Sequence, residues 1–409
     1  MQRKLVVICL INFLIAALMG LALRYASINP IGFNYRFLTH AHSHVAMLGW
    51  VYLMLFTLIV HYFVEEKKPV FNKLFWITEV AVVGMMLSFP FQGYAAVSIT
   101  FSTLHIFFSY YFAYLIWKHH KIMNLPARYL LKTSLVFMVI STIGVWCLGP
   151  AVSMLGQASA FYQIAIQFFL HFQFNGWFLI AVIALFFHHI KLKDCKQFRL
   201  FFKLLIVSTI LTLALPINWF APHIVLYWIN GAGVLIQFVA LIMFLVLIKP
   251  YRISFLNEHS KLTVYMYSFA IFSFVLKTVL QLASLVPEVS LAAYQHRNFV
   301  IGFIHLTMLG VISGFLFSFI LQSKLVLNDK WLHGGIYAFV LGFVLTEILL
   351  MVQGSMFYFE SGFIPNYYFL LFLFSVLLPL GIVLIIINIL KYKNHETSML
   401  KALSTQRND

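Results

Sequence analysis

Three histidines stand within five residues in FLTHAHSHVAMLGW: His40, His42 and His44, at the lip of a long apolar run. Five more, His105, His171, His223, His296 and His305, lie in or beside other apolar runs. Imidazole is costly in hydrocarbon, so its presence there is a functional signal by default. Its lone pair ligates haem iron and copper, and its proton moves near neutral pH. A cluster at such a lip admits three readings: a water-facing cap, a metal site, or an axial ligand for a cofactor within the membrane. Other ionisable groups share the apolar runs. Lys277, in FSFVLKTVLQL, serves a proton path or an acidic cofactor group, or else snorkels or pairs. Glu79 and Glu347 are candidates for proton handling.

The elements that must position these groups are membrane helices. The 409 residues are 63% hydrophobic and 9% charged, with a mean hydropathy of +0.95. No water-soluble core requires that much apolar surface. Twelve runs of spanning length cover approximately 4–23, 41–64, 71–89, 98–118, 128–149, 160–189, 199–220, 224–249, 261–286, 297–322, 333–356 and 366–391. In hydrocarbon every backbone amide needs an internal partner, so each run is expected to be helical. The fold class is an all-α integral membrane protein, a single polytopic domain over 1–409.

The excess of +16 charges is a topology signal rather than a nucleic-acid surface. Of the 27 basic residues, all but Arg24, Arg36, Lys277 and Arg297 fall in the segments that share a side with the N-terminus. This positive-inside pattern sets both termini in the cytoplasm. The basic start of the first run is like that of a signal peptide, but its removal would spoil this sidedness, so it counts as helix 1. Cys9, Cys147 and Cys195 form no disulfide framework, CxxC pair or CxxCH attachment site.

Depth brings some of the histidines together. His171 and His305 each precede the inner end of their run by about 17 residues, roughly 25 Å, and His44 precedes Glu65 by roughly 30 Å. His44, His105, His171 and His305 belong to runs 2, 4, 6 and 10, which cross in one direction and share the outer half of the membrane. His61, His119, His120, His188, His189, His259, His333 and His395 lie toward the inner face and read as solvated or headgroup-facing.

Four strings carry a resemblance. HVAMLGWVYLMLFTLIVHYFVEE around His44, HFQFNGWF at His171, PHIVLYWINGAG at His223 and VIGFIHLTMLG at His305 are similar to segments of the catalytic subunit of haem–copper oxidases. The nitric oxide reductase and cbb3-type branches are the nearest in pattern. The resemblance implies a subunit I-like bundle in a bacterial inner membrane. It implies a low-spin haem b with His44 and His305 as axial ligands. By position, Arg297 and Asn298 at the outer start of run 10 either meet its propionates or anchor the outer surface, and Trp50, Trp177 and Trp228 either line it or pack. The resemblance also implies a second metal site, copper or iron, at His171 and His223. The partners it implies are membrane lipids, an electron donor such as cytochrome c or quinol, a small partner subunit and a diatomic gas.

The departures from that pattern are specific. Phe303 stands where the family has the high-spin haem ligand, Ile224 follows His223 where a second histidine belongs, and Asn175 replaces a glutamate. The pair His44 and His305 remains complete, while the second site keeps two ligands and is completed by His105 or His296, or is a relic. An oxidoreductase acting on nitric oxide or oxygen is therefore a weaker expectation than the haem. His40 and His44 share a helix face at i, i+4, which leaves His42 pointing elsewhere. His40 and His42 are then lip residues that meet water or the haem edge. The alternative is a transporter or permease, or a haem or copper insertion factor, using the same histidine-lined cavity. No internal repeat and no pair of broken helices stands out in its favour.

Overall fold

A computed structural model describes residues 1–66, 68–323 and 325–405, with side chains described as far as Tyr392. Of the basic residues that define sidedness, Lys67, Lys324 and Arg407 lie outside the described residues, as do the side chains of Lys393, Lys401 and His395.

Among the described residues twelve helices are long and apolar enough to cross a membrane. They are α1 (Arg3–Tyr25), α2 (Tyr35–Phe63), α3 (Pro69–Gln92), α4 (Ala96–His119), α5 (Leu125–Leu155), α6 (Ala160–His189), α7 (Lys196–Phe220), α8 (Ile224–Glu258), α9 (Lys261–Leu285), α10 (Arg297–Gln322), α11 (Lys330–Tyr358) and α12 (Tyr367–Tyr392). All twelve runs read from hydropathy are present, and among the described residues there is no strand. One boundary that bears on the histidines shifts in α2. Asn34 accepts hydrogen bonds from the backbone of Arg36 and Phe37 at 3.0 and 3.2 Å, so the helix begins at Tyr35. His40, His42 and His44 are consequently inside the helix, not on a lip.

Three helices form the centre. In α2, α6 and α10, 78, 67 and 61% of the most apolar window is buried, against at most 50% elsewhere. Trp50 of α2 donates to Ser313 Oγ of α10 at 2.9 Å, Tyr52 of α2 packs 6.3 Å from Trp177 of α6, and His189 of α6 stacks on Phe319 of α10 at 5.2 Å. The other nine helices surround these. Within the ring α3 packs on α4, α7 on α8 and α11 on α12, while α1 meets α12, α4 meets α5 and α8 meets α9. Tyr129–Phe202 and Phe269–Phe343 contacts join α5 to α7 and α9 to α11.

This arrangement corrects the reading that the chain has no internal repeat. It is three four-helix units, each donating its second helix to the centre. The central helices share one local device: an α-helix ends at a histidine and opens into a π-helix, at His44 with Val45–Tyr52, at His171 with Phe172–Phe178 and at His305 with Leu306–Ser313. A glycine follows each histidine by five residues, at Gly49, Gly176 and Gly310. A Cβ at these glycines would lie 2.9 Å from Val82, 2.7 Å from Phe137 and 2.8 Å from Ser273, so each marks a close approach of a ring helix. Little but His and Gly is common to the three strings, because interchangeable apolar residues fill the rest.

The end of the bundle that holds the termini has basic side chains over aromatic rings, including Lys4 over Trp76 and Lys132 over Trp117, both at 4.7 Å. Such pairs suit a membrane–water boundary. The three π-helices lie midway along their spans, and the histidine that opens each falls on the side away from the termini.

Candidate functional site

A π turn holds more backbone than an α turn, and such turns concentrate at functional positions. It also releases carbonyls that must find donors in an apolar core. Asn12 of α1 donates to Gly49 O at 3.2 Å and to Glu79 Oε2 at 2.8 Å. Asn175 donates to His171 O at 3.2 Å, Thr307 to Phe303 O at 2.9 Å and Ser313 to Met308 O at 2.8 Å. Asn175, read from sequence as the replacement for a glutamate, thus serves the backbone of its own helix.

The α2 histidines divide between two faces. His42 donates from Nδ1 to Ala16 O of α1 at 2.8 Å, and its ring occupies the space left by Gly20, where a Cβ would lie 2.9 Å away. It is within electrostatic reach of His305 and Arg24. His44 donates from Nδ1 to His40 O at 2.8 Å and turns toward α3 and α4. Its ring is 4.4 Å from Phe89, its Nε2 is 3.5 Å from the Tyr94 hydroxyl, and it is within electrostatic reach of His105. His105 is 3% exposed, edge-on to Tyr52 at 4.7 Å, with Nε2 unpaired. His40 lies edge-on to Tyr94 at 4.7 Å. A histidine that donates from Nδ1 keeps its lone pair on Nε2, the form that ligates a metal.

His305 faces a charged group of residues. Its Nδ1 lies 3.7 Å from Glu347 Oε1 of α11, and neither atom has a hydrogen-bond partner. Arg24 of α1 donates to Leu371 O at 3.4 Å and to Ser375 Oγ, both in α12. Its guanidinium is within electrostatic reach of Glu347, Tyr367, His42 and His305. Asn298 donates to the Tyr367 hydroxyl at 2.8 Å, which links the start of α10 to this group. The sequence reading gave Arg24 no role beyond topology. Its signal was that it is one of only three basic residues on the side away from the termini.

The second unit is built differently. His171 donates from Nε2 to Thr209 O at 2.7 Å, and that carbonyl is free because α7 is interrupted at Thr212 and Leu213. Lys277 is fully buried, so it does not snorkel; it donates to Gln281 Oε1 at 2.9 Å and lies 5.3 Å over the Phe303 ring. His223 is exposed at the start of α8, where its Nδ1 accepts from Val225 N at 3.2 Å. His296 lies among Phe299, Phe357 and Tyr358, and Arg297 is exposed, 5.9 Å over the Tyr35 ring. Trp50 is a packing residue, stacked on Phe13 at 4.6 Å, Trp177 is fully buried, and Trp228 is exposed.

At the terminal end, not all inner histidines are solvated as read. His188 Nδ1 and His189 Nε2 are buried without partners, and His259 Nε2 is 2.7 Å from Gln322 Nε2. Among the described residues no group of three or more His, Cys, Asp or Glu is arranged to hold a metal ion. Compared with models of known protein families the chain matches none, and compared with curated proteins it likewise finds no match.

Proposed function

We propose that the chain is a haem b-binding protein of the bacterial inner membrane, related to haem–copper oxidase and nitric oxide reductase catalytic subunits. Both termini lie in the cytoplasm, and one haem is held by His305 and an α2 histidine. The observation that carries this reading is that His42, anchored through Nδ1 to Ala16 O at 2.8 Å, is within electrostatic reach of His305 and of the half-buried Arg24.

The donors present fit a haem. His42 and His44 each spend Nδ1 on a backbone carbonyl and keep Nε2 for iron. Arg24 offers a cation to an acidic group such as a propionate. The resemblance favours His44 as the α2 ligand, and proximity to His305 favours His42. When bound, a six-coordinate haem b supplies one-electron transfer. The carbonyl anchors hold the imidazoles, and the packed aromatics between α2, α6 and α10 exclude water. The donor, cytochrome c or quinol, and a small partner subunit belong to this proposal.

The second site does not fit copper or iron as it stands. His223 is at the surface with its Nδ1 lone pair taken by Val225 N, which leaves His171 without a partner imidazole for a shared metal. Phe303 leaves no imidazole two residues before His305 and packs under Lys277 instead. The reading is therefore electron transfer or the handling of a diatomic gas, with no reduction step assigned.

Absorption spectra of the purified protein, oxidised and dithionite-reduced, test it. Sharp b-type bands are expected. His305→Ala abolishes them, His171→Ala leaves them, and either His42→Ala or His44→Ala abolishes them and so identifies the partner. A colourless preparation from haem-replete cells refutes the proposal.

A further inference from the structure

We infer that Glu347 is a positioning residue for His305: its carboxylate accepts the Nδ1 proton, orients the ring and strengthens Nε2 as a donor to iron. The inference rests on the haem reading above. His42 and His44 are anchored on neutral carbonyls, at 2.8 Å in each case. His305 has no such anchor. Its Nδ1 has no hydrogen-bond partner, and a carboxylate oxygen that also lacks one stands 3.7 Å away. A shift of under an ångström closes this gap to a charge-assisted hydrogen bond.

The backbone is built to allow that closure. Gly302, three residues before His305, faces α11. A Cβ there would lie 3.2 Å from Glu347 Oε2 and 2.3 Å from Met351 Cε. A methyl at 302 would displace the Met351 end and press on the Glu347 carboxylate, moving it relative to the imidazole. Arg24, within electrostatic reach of both groups, offsets the carboxylate charge in an apolar setting. A carboxylate behind an axial histidine gives the ring partial imidazolate character, which stabilises ferric over ferrous iron and lowers the reduction potential.

The test is a spectroelectrochemical titration of the full-length protein in detergent at one fixed pH, with ferric electron paramagnetic resonance in parallel. Glu347→Gln is expected to raise the midpoint potential and shift the largest ferric g-value, with the bis-histidine spectrum intact. Gly302→Ala, which keeps the carboxylate but moves it, is expected to shift both in the same direction. Glu79→Gln, a buried carboxylate beside α2, is expected to change neither. An unchanged or lowered potential in Glu347→Gln overturns the inference, as does an equal shift in Glu79→Gln. If Glu347→Gln does not assemble, Gly302→Ala decides by the same criterion. Wild-type protein without haem refutes the underlying reading instead, so the two failures are distinct.

Discussion

Substitution of Gly176 by alanine tests whether the centre of the fold is as close-packed as the repeat requires. The added Cβ would lie 2.7 Å from both Cβ and Cγ of Phe137, about an ångström inside ordinary contact between carbon atoms. Phe137 has little freedom to yield. It is 5% exposed and stacked on Phe172 at 5.3 Å, so α5 and α6 themselves must separate. Overpacking of this kind costs about 1–3 kcal/mol. Replacing glycine in a helix returns about 0.5–1 kcal/mol, so Gly176→Ala is expected to be destabilising overall. Gly231 in α8 provides the comparison, since a Cβ there meets only Leu285 Cδ2 at 3.6 Å. Gly231→Ala keeps the helical gain without the clash, so the two variants should differ by about 1–3 kcal/mol, with opposite signs relative to wild type. Thermal unfolding in one detergent, followed by tryptophan fluorescence, measures the order. If Gly176→Ala is as stable as Gly231→Ala, the close approach of α5 to the π-helix of α6 is wrong.

Trp50→Phe keeps a ring on Phe13 but removes the hydrogen bond to Ser313; a loss of about 0.5–1 kcal/mol is expected, against about 3–5 for Trp50→Ala, by the same unfolding assay. Lys277→Met removes a buried amine that donates to one amide and lies over one ring; with about 2.5–3.5 kcal/mol as the cost of lysine at the centre of a membrane helix, the variant is expected to melt higher, and a lower melting point would reveal an unrecognised partner. At the terminal end, Arg199 holds the Asp194 carboxyl below its ordinary range through a 2.7 Å ion pair. That pair is fully formed above the usual carboxylate range and is lost as pH falls through the lowered value, so limited proteolysis after residue 193 should accelerate on acidification in wild type and be independent of that step in Asp194→Asn.

Hydropathy found all twelve spans because a bilayer imposes one length and one backbone solution on every crossing. It misjudged ends that depend on side-chain chemistry. The start of α2 is set by the Asn34 cap, and α8 continues to Glu258 through the turn at Lys249–Tyr251. The histidines were legible as a layer, since spacing along a helix gives depth directly. Their facing was not. The π-helices break the 3.6-residue period on which such an estimate depends, and Arg24 and Glu347 come within electrostatic reach across 323 positions of sequence in a chain with no pattern joining them.

The repeat explains why the histidines alone are a poor guide to chemistry. Each unit supplies the same device, an imidazole at the mouth of a π-helix closed by a glycine contact. The surroundings then differ. In the first unit the ring is anchored on its own helix, with a tyrosine hydroxyl near its free nitrogen. In the second the imidazole is used to satisfy a carbonyl of an interrupted neighbour. In the third it faces a carboxylate and an arginine from other helices. A donor to iron needs one ring nitrogen held and the other free, in company that balances its charge. His42 and His44 have the held nitrogen, and the third unit supplies the charged company, with Glu347 Oε1 3.7 Å from His305 Nδ1, so the proposed haem needs both. The functional distinction among three equivalent positions therefore lies in what α1, α3, α7 and α11 bring against them.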